Sequence, residues 1–443
     1  MKRYEAYKPS GTAWFTSVPE PWNILKINAL FSQRKEKVSD KDFAPISVTK
    51  NGIMPQLETA AKTDDGDNRK KVCVGDFVIN SRSDRKGSCG VSSFDGSVSL
   101  INIVLQPRQE LNGRYAHYLL RSQPFSEEFY RNGRGIVADL WTTRYSEMKN
   151  ILLPVPPRDK QDQIVRYLDW QVSKINRLIA AKQKQIELTR EYALAKIEDV
   201  FNTTIGTDSD NIPIGRHIRK IESGTSVNSI IGTADKETPG VLSTSCVYGN
   251  HFDASQNKRV EPADYERVSC PVRKNTVIVS RMNTPALVGA CGFSDKDIDN
   301  VFLPDRLWQV YFDDTLMPEF VWRYLSRPRA QAWFATIATG SSNTMKNITK
   351  PQFKAVLIPN VPSDMQRRII KSISKITDER DTACQLYEQT ISTLQALRTR
   401  LISDVVTGQI DVRGIEVPNY EHYDEAPENA TEESSDSDYD TEE

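Results

Sequence analysis

The chain has 443 residues, more than a single hydrophobic core usually organises, so two or more domains are expected. Its 38% hydrophobic and 26% charged residues are ordinary for a globular protein; no apolar run is long enough to span a bilayer, and the opening MKRYEAYKPSGTAWF has no apolar core or cleavage site of a secretory signal. These features predict a cytoplasmic location. The net charge of −1 is unevenly spread: residues 421–443 hold eleven Asp or Glu and no Lys or Arg, leaving residues 1–420 with 58 basic against 48 acidic side chains, a net of +10. A basic body of this kind is attracted to polyanions.

In chain order, residues 1–155 mix short β-rich runs (Val78-Ile79, Val98 to Leu105) with a helical piece, Tyr115 to Leu120. Residues 158 to about 202 then contain neither Gly nor Pro and are rich in Lys, Gln, Glu, Ala and Leu, which predicts a long helix. Val165, Val172, Ile179, Ile186, Ala193 and Val200 recur every seven residues, joined by Leu168 and Ile175, as in a coiled coil. Residues 206–360 form a second β-and-α module (Val277 to Val279, Trp308 to Phe312, Phe320 to Leu325). A second helix over about 363–407 carries Ile370, Ile373, Cys384, Tyr387, Ile391, Leu394, Leu401 and Val405 on its stripe and stops at Gly408. Lys182, Thr189, Lys196, Thr377, Arg380 and Arg398 dilute both stripes, which favours packing of the two helices on each other, antiparallel, over a homodimeric zipper. About 40 helical residues would make a rod of about 60 Å. Composition predicts a disordered acidic tail over 413–443.

The two halves are related. At a constant offset of 205, Gly135 to Ile205 matches Gly340 to Ile410 without a gap. Leu152-Leu153-Pro154 with Pro157, Asp159, Gln161 and Ile164 returns as Leu357-Ile358-Pro359 with Pro362, Asp364, Gln366 and Ile369. Upstream the match is looser: Val78 to Arg82 resembles Val277 to Arg281 at offset 199, and Cys89 to Ser92 resembles Cys291 to Ser294 at offset 202. The fold class expected is α+β: two mixed modules separated by two long helices forming an antiparallel coiled coil, with an internal pseudo-two-fold repeat. The segments are 1–155 and 206–360 for the modules, 156–205 and 361–412 for the helical regions.

The Pro-x-x-Pro-x-Asp-x-Gln-x-x-Ile segments, followed by long helices, resemble the conserved regions of specificity subunits of type I restriction-modification enzymes. The resemblance continues in Val18 to Trp22, Gly75 to Ile79 and Val405 to Asp411, and covers about residues 14 to 412. The family commonly has Glu before its Gln, where this chain has Lys160 and Met365; module two has Lys274-Asn275 where module one has Gly75-Asp76. The resemblance implies two target recognition domains, each reading one half of a split asymmetric site on double-stranded DNA, with the helices setting the spacer. It implies two modification subunits docked on the helical regions, binding S-adenosylmethionine and methylating adenine, and restriction subunits that use ATP and Mg. Pro154, Gln161, Ile164, Pro359, Gln366 and Ile369 are the candidates for the helical frame and subunit docking.

Base edges are read by Arg, Lys, Asn and Gln, and phosphates are held by Lys and Arg. The polar run after the apolar strand of module one, Asn80, Ser81, Arg82, Arg85 and Lys86, is a candidate reader, with Arg69, Lys70 and Lys71 for phosphates. In module two the candidates are Ser280, Arg281 and Asn283, the loop Ser341 to Asn347 with Asn343, Lys346 and Asn347, and Lys258 and Arg259 for phosphates.

No catalytic centre is legible. The only Pro-Pro, Pro156-Pro157, lacks the flanks of an adenine methyltransferase motif, and no Gly-x-x-x-x-Gly-Lys-(Ser/Thr) loop exists. His117, His217 and His251 have no nucleophile at recognisable spacing, and Cys73, Cys89, Cys246, Cys270, Cys291 and Cys384 include no Cys-x-x-Cys pair, so reduced thiols and no metal site are expected. The competing reading is a coiled-coil scaffold that joins proteins without nucleic acid.

Overall fold

Phe77-Val78-Ile79 sits in the strand on which the first half of the chain is built. The computed structural model describes residues 2–56, 66–108, 110–135, 141–206, 210–235, 237–340 and 345–423. Phe77 and Ile79 enter the larger core, while Val78 enters a small cluster with Ile46, Val72, Val98 and Val104. Burial on both faces explains why the run shows no polar alternation. The strand is inside a four-stranded antiparallel sheet ordered Cys89–Val91, Phe77–Asn80, Asn102–Pro107 and Phe31–Gln33. The single strand expected over Val98 to Leu105 is two: Gly96–Val98 belongs to a second sheet with Arg69–Val72 and Lys37–Val38, and a turn at 99–101 separates it from Asn102–Pro107.

The second half repeats the first sheet in the same order: Cys291–Ser294, Thr276–Ser280, Leu307–Phe312 and Ile218–Ser223. Its second sheet differs, with five strands (Ser229–Ile230, Asn257–Val260, Gly240–Leu242, Ile298–Phe302 and Pro271–Val272).

Strand pairing corrects the register of the repeat. Cys89 faces Ile79 and Cys291 faces Val279, so Ile79 matches Val279 at offset 200, one residue from the offset of 199 read in the sequence. Core membership agrees, since Val277 and Val279 lie in the larger core and Ile278 in the smaller one, as do Phe77, Ile79 and Val78. A one-residue slip in a strand exchanges its faces. Gly75 therefore matches Asn275, and both take a positive φ, 89° and 54°. Asn is one of the few side chains that tolerates this region, which is how module two dispenses with the glycine. The offset of 205 reaches back beyond Gly135, since Asn102 pairs with Asn80 as Leu307 pairs with Ser280.

The long helices are Arg158–Ile205 and Ser363–Val406. The chain forms two compact units, Met1–Gln185 with Leu386–Glu443, and Ile186–Gln385, so each long helix gives one half to each unit. In the first unit the halves run antiparallel: Lys182 Nζ lies 5.0 Å from the Tyr387 ring, Arg398 Nη1 donates to Asn176 Oδ1 at 2.8 Å, and Tyr115 Oη lies within bonding distance of both Pro154 O (2.9 Å) and Val406 O (3.2 Å). The buried stripe is wider than the heptad reading. Ile164, Leu168, Ile175 and Ile179 are buried while Val165 and Val172 are half-buried, because the helix packs on its module as well as on its partner helix. Helix two ends as expected: Gly408 takes φ 76°, and a Cβ there would meet Pro19 Cδ at 2.4 Å. Among the described residues no helix is long and apolar enough to cross a membrane.

One polar device recurs at the start of each long helix. Gln161, 1% exposed, accepts from Asn112 N (2.8 Å) and donates to Pro156 O (3.0 Å) and Glu110 O (3.5 Å). Gln366, also 1% exposed, accepts from Met317 N (2.9 Å) and donates to Thr315 O (2.8 Å) and Val361 O (2.9 Å). Asn112 and Met317 are the N-caps of Gly113–Arg121 and Pro318–Leu325, so each glutamine joins the start of a module helix to the start of a long helix. Gln366→Leu or Gln161→Leu leaves three backbone groups without this partner; each is expected to cost about 2–4 kcal/mol, read as a lower urea midpoint of the full chain.

Candidate nucleic-acid interface

Beyond the strands Phe77–Asn80 and Thr276–Ser280 the chain crosses two other segments, and it does so in the same way in both units. Ser81 O accepts from Thr143 N (2.9 Å), and Thr142 exchanges backbone bonds with Arg134 (2.9 and 3.0 Å). In the second unit Arg281 O accepts from Ile348 N (2.8 Å), and Asn347 exchanges bonds with Thr339 (2.8 and 2.9 Å). Met282–Asn283 pairs with Lys346–Asn347, so two runs named separately in the sequence are joined here. Ser81 thus corresponds to Arg281 and Arg82 to Met282. Ser81-Arg82 and Ser280-Arg281, aligned at offset 199, are therefore one residue out of register.

Several sequence candidates are turned inward. Asn80 is buried, its Oδ1 accepting from Arg82 N (3.0 Å). Ser81 and Ser280 are buried, and Asn283 donates to Tyr248 Oη (3.2 Å) and Ser280 Oγ (3.3 Å) beneath the surface. Arg281 braces the turn through Asp305 O (2.7 Å) and Asn347 Oδ1 (3.4 Å). These side chains hold the crossing together, because a strand end covered by another segment must satisfy its polar groups internally.

The phosphate candidates of module one are corrected too. Arg69, 6% exposed, donates to Ser97 Oγ (2.9 Å) and Ser97 O (3.1 Å); Lys70 Nζ donates to Leu100 O and Asn102 O (2.6 Å each); Lys71 pairs with Glu36 (2.9 Å). Burial lowers the pKa of Arg69 and of Lys70. In the second unit Lys258 is exposed, while Arg259 pairs with Asp235 (2.9 Å). Asn343 lies outside the described residues.

Cations remain at the crossing. Arg82 pairs with Asp84 (3.2 Å) and Lys86 with Glu127 (2.6 Å), all four more than 40% exposed, and Arg85 is half-buried beside them. Arg134, 85% exposed, reaches Glu147 only at 4.0 Å, and Arg144 is exposed nearby in the chain. Solvated pairs of this kind are worth little and are readily exchanged for phosphate. In the second unit Lys346 and Asn347 are half-buried and Arg306, whose carbonyl accepts from Arg281 N (3.1 Å), is exposed. Arg134, Arg144 and Arg306 were not singled out by the sequence; backbone pairing over distance brings them in, and no local motif marks them.

Pro154, Gln161, Ile164, Pro359, Gln366 and Ile369 are all buried within their own units, where they hold module to helix.

No protein-family model matches the chain. Its sequence is similar to the type I restriction enzyme EcoKI specificity subunit of Escherichia coli strain K12, 19% identical over 356 residues that cover 77% of this chain and 76% of that one. It is similar also to the putative type I restriction enzyme MjaX specificity subunit of Methanocaldococcus jannaschii, 21% identical over 445 aligned residues covering 89% and 95%. Over most of its length the chain is thus similar to type I specificity subunits. Its fold is similar to that of a solved chain from a study of type I R-M complex assembly, with a TM-score of 0.63 and 16% identity over 89% of this chain and 99% of that one.

His117 is a structural residue of the first unit. Burial, with Arg121 and Arg114 beside it, lowers its pKa to about 3, so the folded chain keeps it neutral. The unfolded chain takes up a proton near pH 6.5, so this contribution to stability is complete above pH 6.5 and falls by about 1.4 kcal/mol per pH unit below it, toward pH 3. Urea titrations of the chain and of His117→Gln between pH 7 and 5 are expected to differ by that slope. Arg69→Ala is expected to lower stability by about 2–3 kcal/mol in the same assay, through the loss of its bonds to Ser97.

Proposed function

We propose that the chain is the DNA-reading subunit of a type I restriction-modification complex, with residues 1–155 and 206–360 as target recognition domains for the two halves of a split, asymmetric site. The observation that carries this reading is a crossing with one backbone plan and two sets of side chains: Ser81, Arg82, Arg134 and Thr142 in one unit stand where Arg281, Met282, Thr339 and Asn347 stand in the other. Equal backbones with unequal side chains are what two different half-sites require. The helical regions 156–205 and 361–412 set the spacer and carry two modification subunits, with restriction subunits joining the same assembly. S-adenosylmethionine, ATP and Mg act on those partners, and this chain supplies specificity without catalysis.

Exchange of residues 1–150 for another recognition module is expected to change one half of the methylated sequence and leave the other, read by mapping methylated adenines; an unchanged sequence would sink the proposal. In the assembled complex, Arg134→Ala is expected to weaken DNA binding about equally for all sequences and to lower the slope of log K against log salt by about 1. A scaffold without nucleic-acid reading would show no salt-sensitive DNA binding at all.

A further inference from the structure

Residues 2–22 of the first unit have no counterpart in the second. The strands Asn23–Lys26 and Asn211–Pro213 are equivalent, since each pairs with the strand that leads into a long helix, Leu152–Val155 or Leu357–Pro359. Only residues 206–210 separate Asn211 from the end of helix one, whereas Asn23 is preceded by a hairpin of Tyr7–Pro9 against Ser17–Pro19. The hairpin is seated on the segment that follows helix two: Tyr7 Oη donates to Gly408 O (3.0 Å), Gln409 Nε2 to Ser17 O (3.3 Å) and Asp411 N to Lys2 O (3.0 Å). Its turn carries an aromatic pair into the module. Phe15 is buried, and Trp14 packs edge-on to Phe125, 6.0 Å between ring centres, while its Nε1 donates to Leu152 O (3.2 Å).

The second unit keeps this seat and leaves it open. At offset 205, Leu357 stands for Leu152, Ala330 for Phe125 and Gly206 for Asp411, and all three line a cavity of about 520 Å³ between the end of helix one and the helix Pro328–Ile337. Alanine in place of phenylalanine takes a ring out of the wall. Trp333 and Leu357 are left 38% and 54% exposed, whereas Leu152 is half-buried, and no side chain among the described residues donates to Leu357 O. An apolar cleft of this size with exposed large side chains has the character of a binding surface.

The charged residues that line the cavity are Arg327 and Arg329. Arg327 is buried and occupied: its guanidinium lies 3.9 Å from the Tyr324 ring centre and 4.5 Å from that of Phe201, and it pairs with Glu198 (3.3 Å). Arg329 is exposed and has no hydrogen-bond or ion-pair partner among the described residues. Pro124 holds its position in the first unit. The open seat therefore asks for a carboxylate that the hairpin of the first unit does not need.

We propose that the open seat of the second unit receives a segment of a partner protein that carries a tryptophan with an adjoining Asp or Glu. The indole takes the place that Trp14 holds in the first unit, its N–H bonds Leu357 O, and the carboxylate meets Arg329. A second copy of this chain is a poor occupant, because its hairpin is already held by its own first unit and Trp14 stands between Ala13 and Phe15, with no acid beside it. The solvated charge pair at the rim selects the partner, and the apolar seat supplies the affinity. The seat works in this way whether or not the modules read DNA.

The probe is a fluorescent peptide of residues 10–20 with Ala13→Asp, titrated with the full chain and followed by anisotropy. Saturable binding at low salt is expected. Leu357→Asp, a change at an exposed position, is expected to raise Kd at least about tenfold, as for the loss of one buried leucine contact. Arg329→Gln is expected to raise it about threefold at low salt, and the difference is expected to vanish in about 0.5 M NaCl. The same peptide with Trp14→Ala is expected not to bind. Absence of saturable binding, equal binding of the Trp14→Ala peptide, or a Kd unchanged by Leu357→Asp would overturn the proposal; the last result would mean that the peptide had displaced the hairpin of the first unit instead.

Discussion

The glutamine that follows each proline segment is the polar contact on which the frame depends. A carboxamide is neutral, so it enters a core without the solvation cost of a charge, yet it can donate and accept at once. Gln161 and Gln366 use that capacity in the same way, gripping the backbone N–H of a helix N-cap while holding two carbonyls from the adjoining connections. The bonds are to backbone, so they fix geometry without dictating which side chains the module carries elsewhere. A frame fastened in this manner tolerates divergence of what it presents.

That divergence has a definite place. The first sheet of each unit keeps its strand order and pairing, while the second sheet changes from three strands to five. At the crossing beyond the first sheet the backbone bonds persist and the side chains do not. Preservation of the inner layer with replacement at the rim suits the proposed pair of readers, aimed at unlike sequences.

Much of the candidate site was misread from sequence for one reason. A polar residue after an apolar strand looks the same whether the chain emerges into solvent or passes under another segment. Asn80 and Ser280 pass under, covered by segments that arrive more than 60 residues later in the chain, so their side chains serve the turn. Arg69 follows the same logic, since its cationic neighbours suggest a phosphate patch until Ser97 is found across from it. Arg134 shows the converse: an unremarkable residue between two glycines becomes a rim cation once Thr142 pairs with it.

Sequence by itself determined the periodic and the covalently local parts: the duplication, the two long helices and their stop at Gly408, the strand Phe77–Asn80 and its counterpart, and the family likeness. These follow from spacing along one chain, where the hydrophobic pattern and the turn residues are written directly. Only the tertiary structure decided the register of the first sheets, the width of the buried helical stripe, which cations stay in solvent, and the placement of residues 413–423 along helix one, where Ser173 bonds Glu421 and Tyr423 although composition predicts a disordered tail. Each of these depends on pairing between distant segments, and a one-residue slip or a covering strand leaves no trace in local composition.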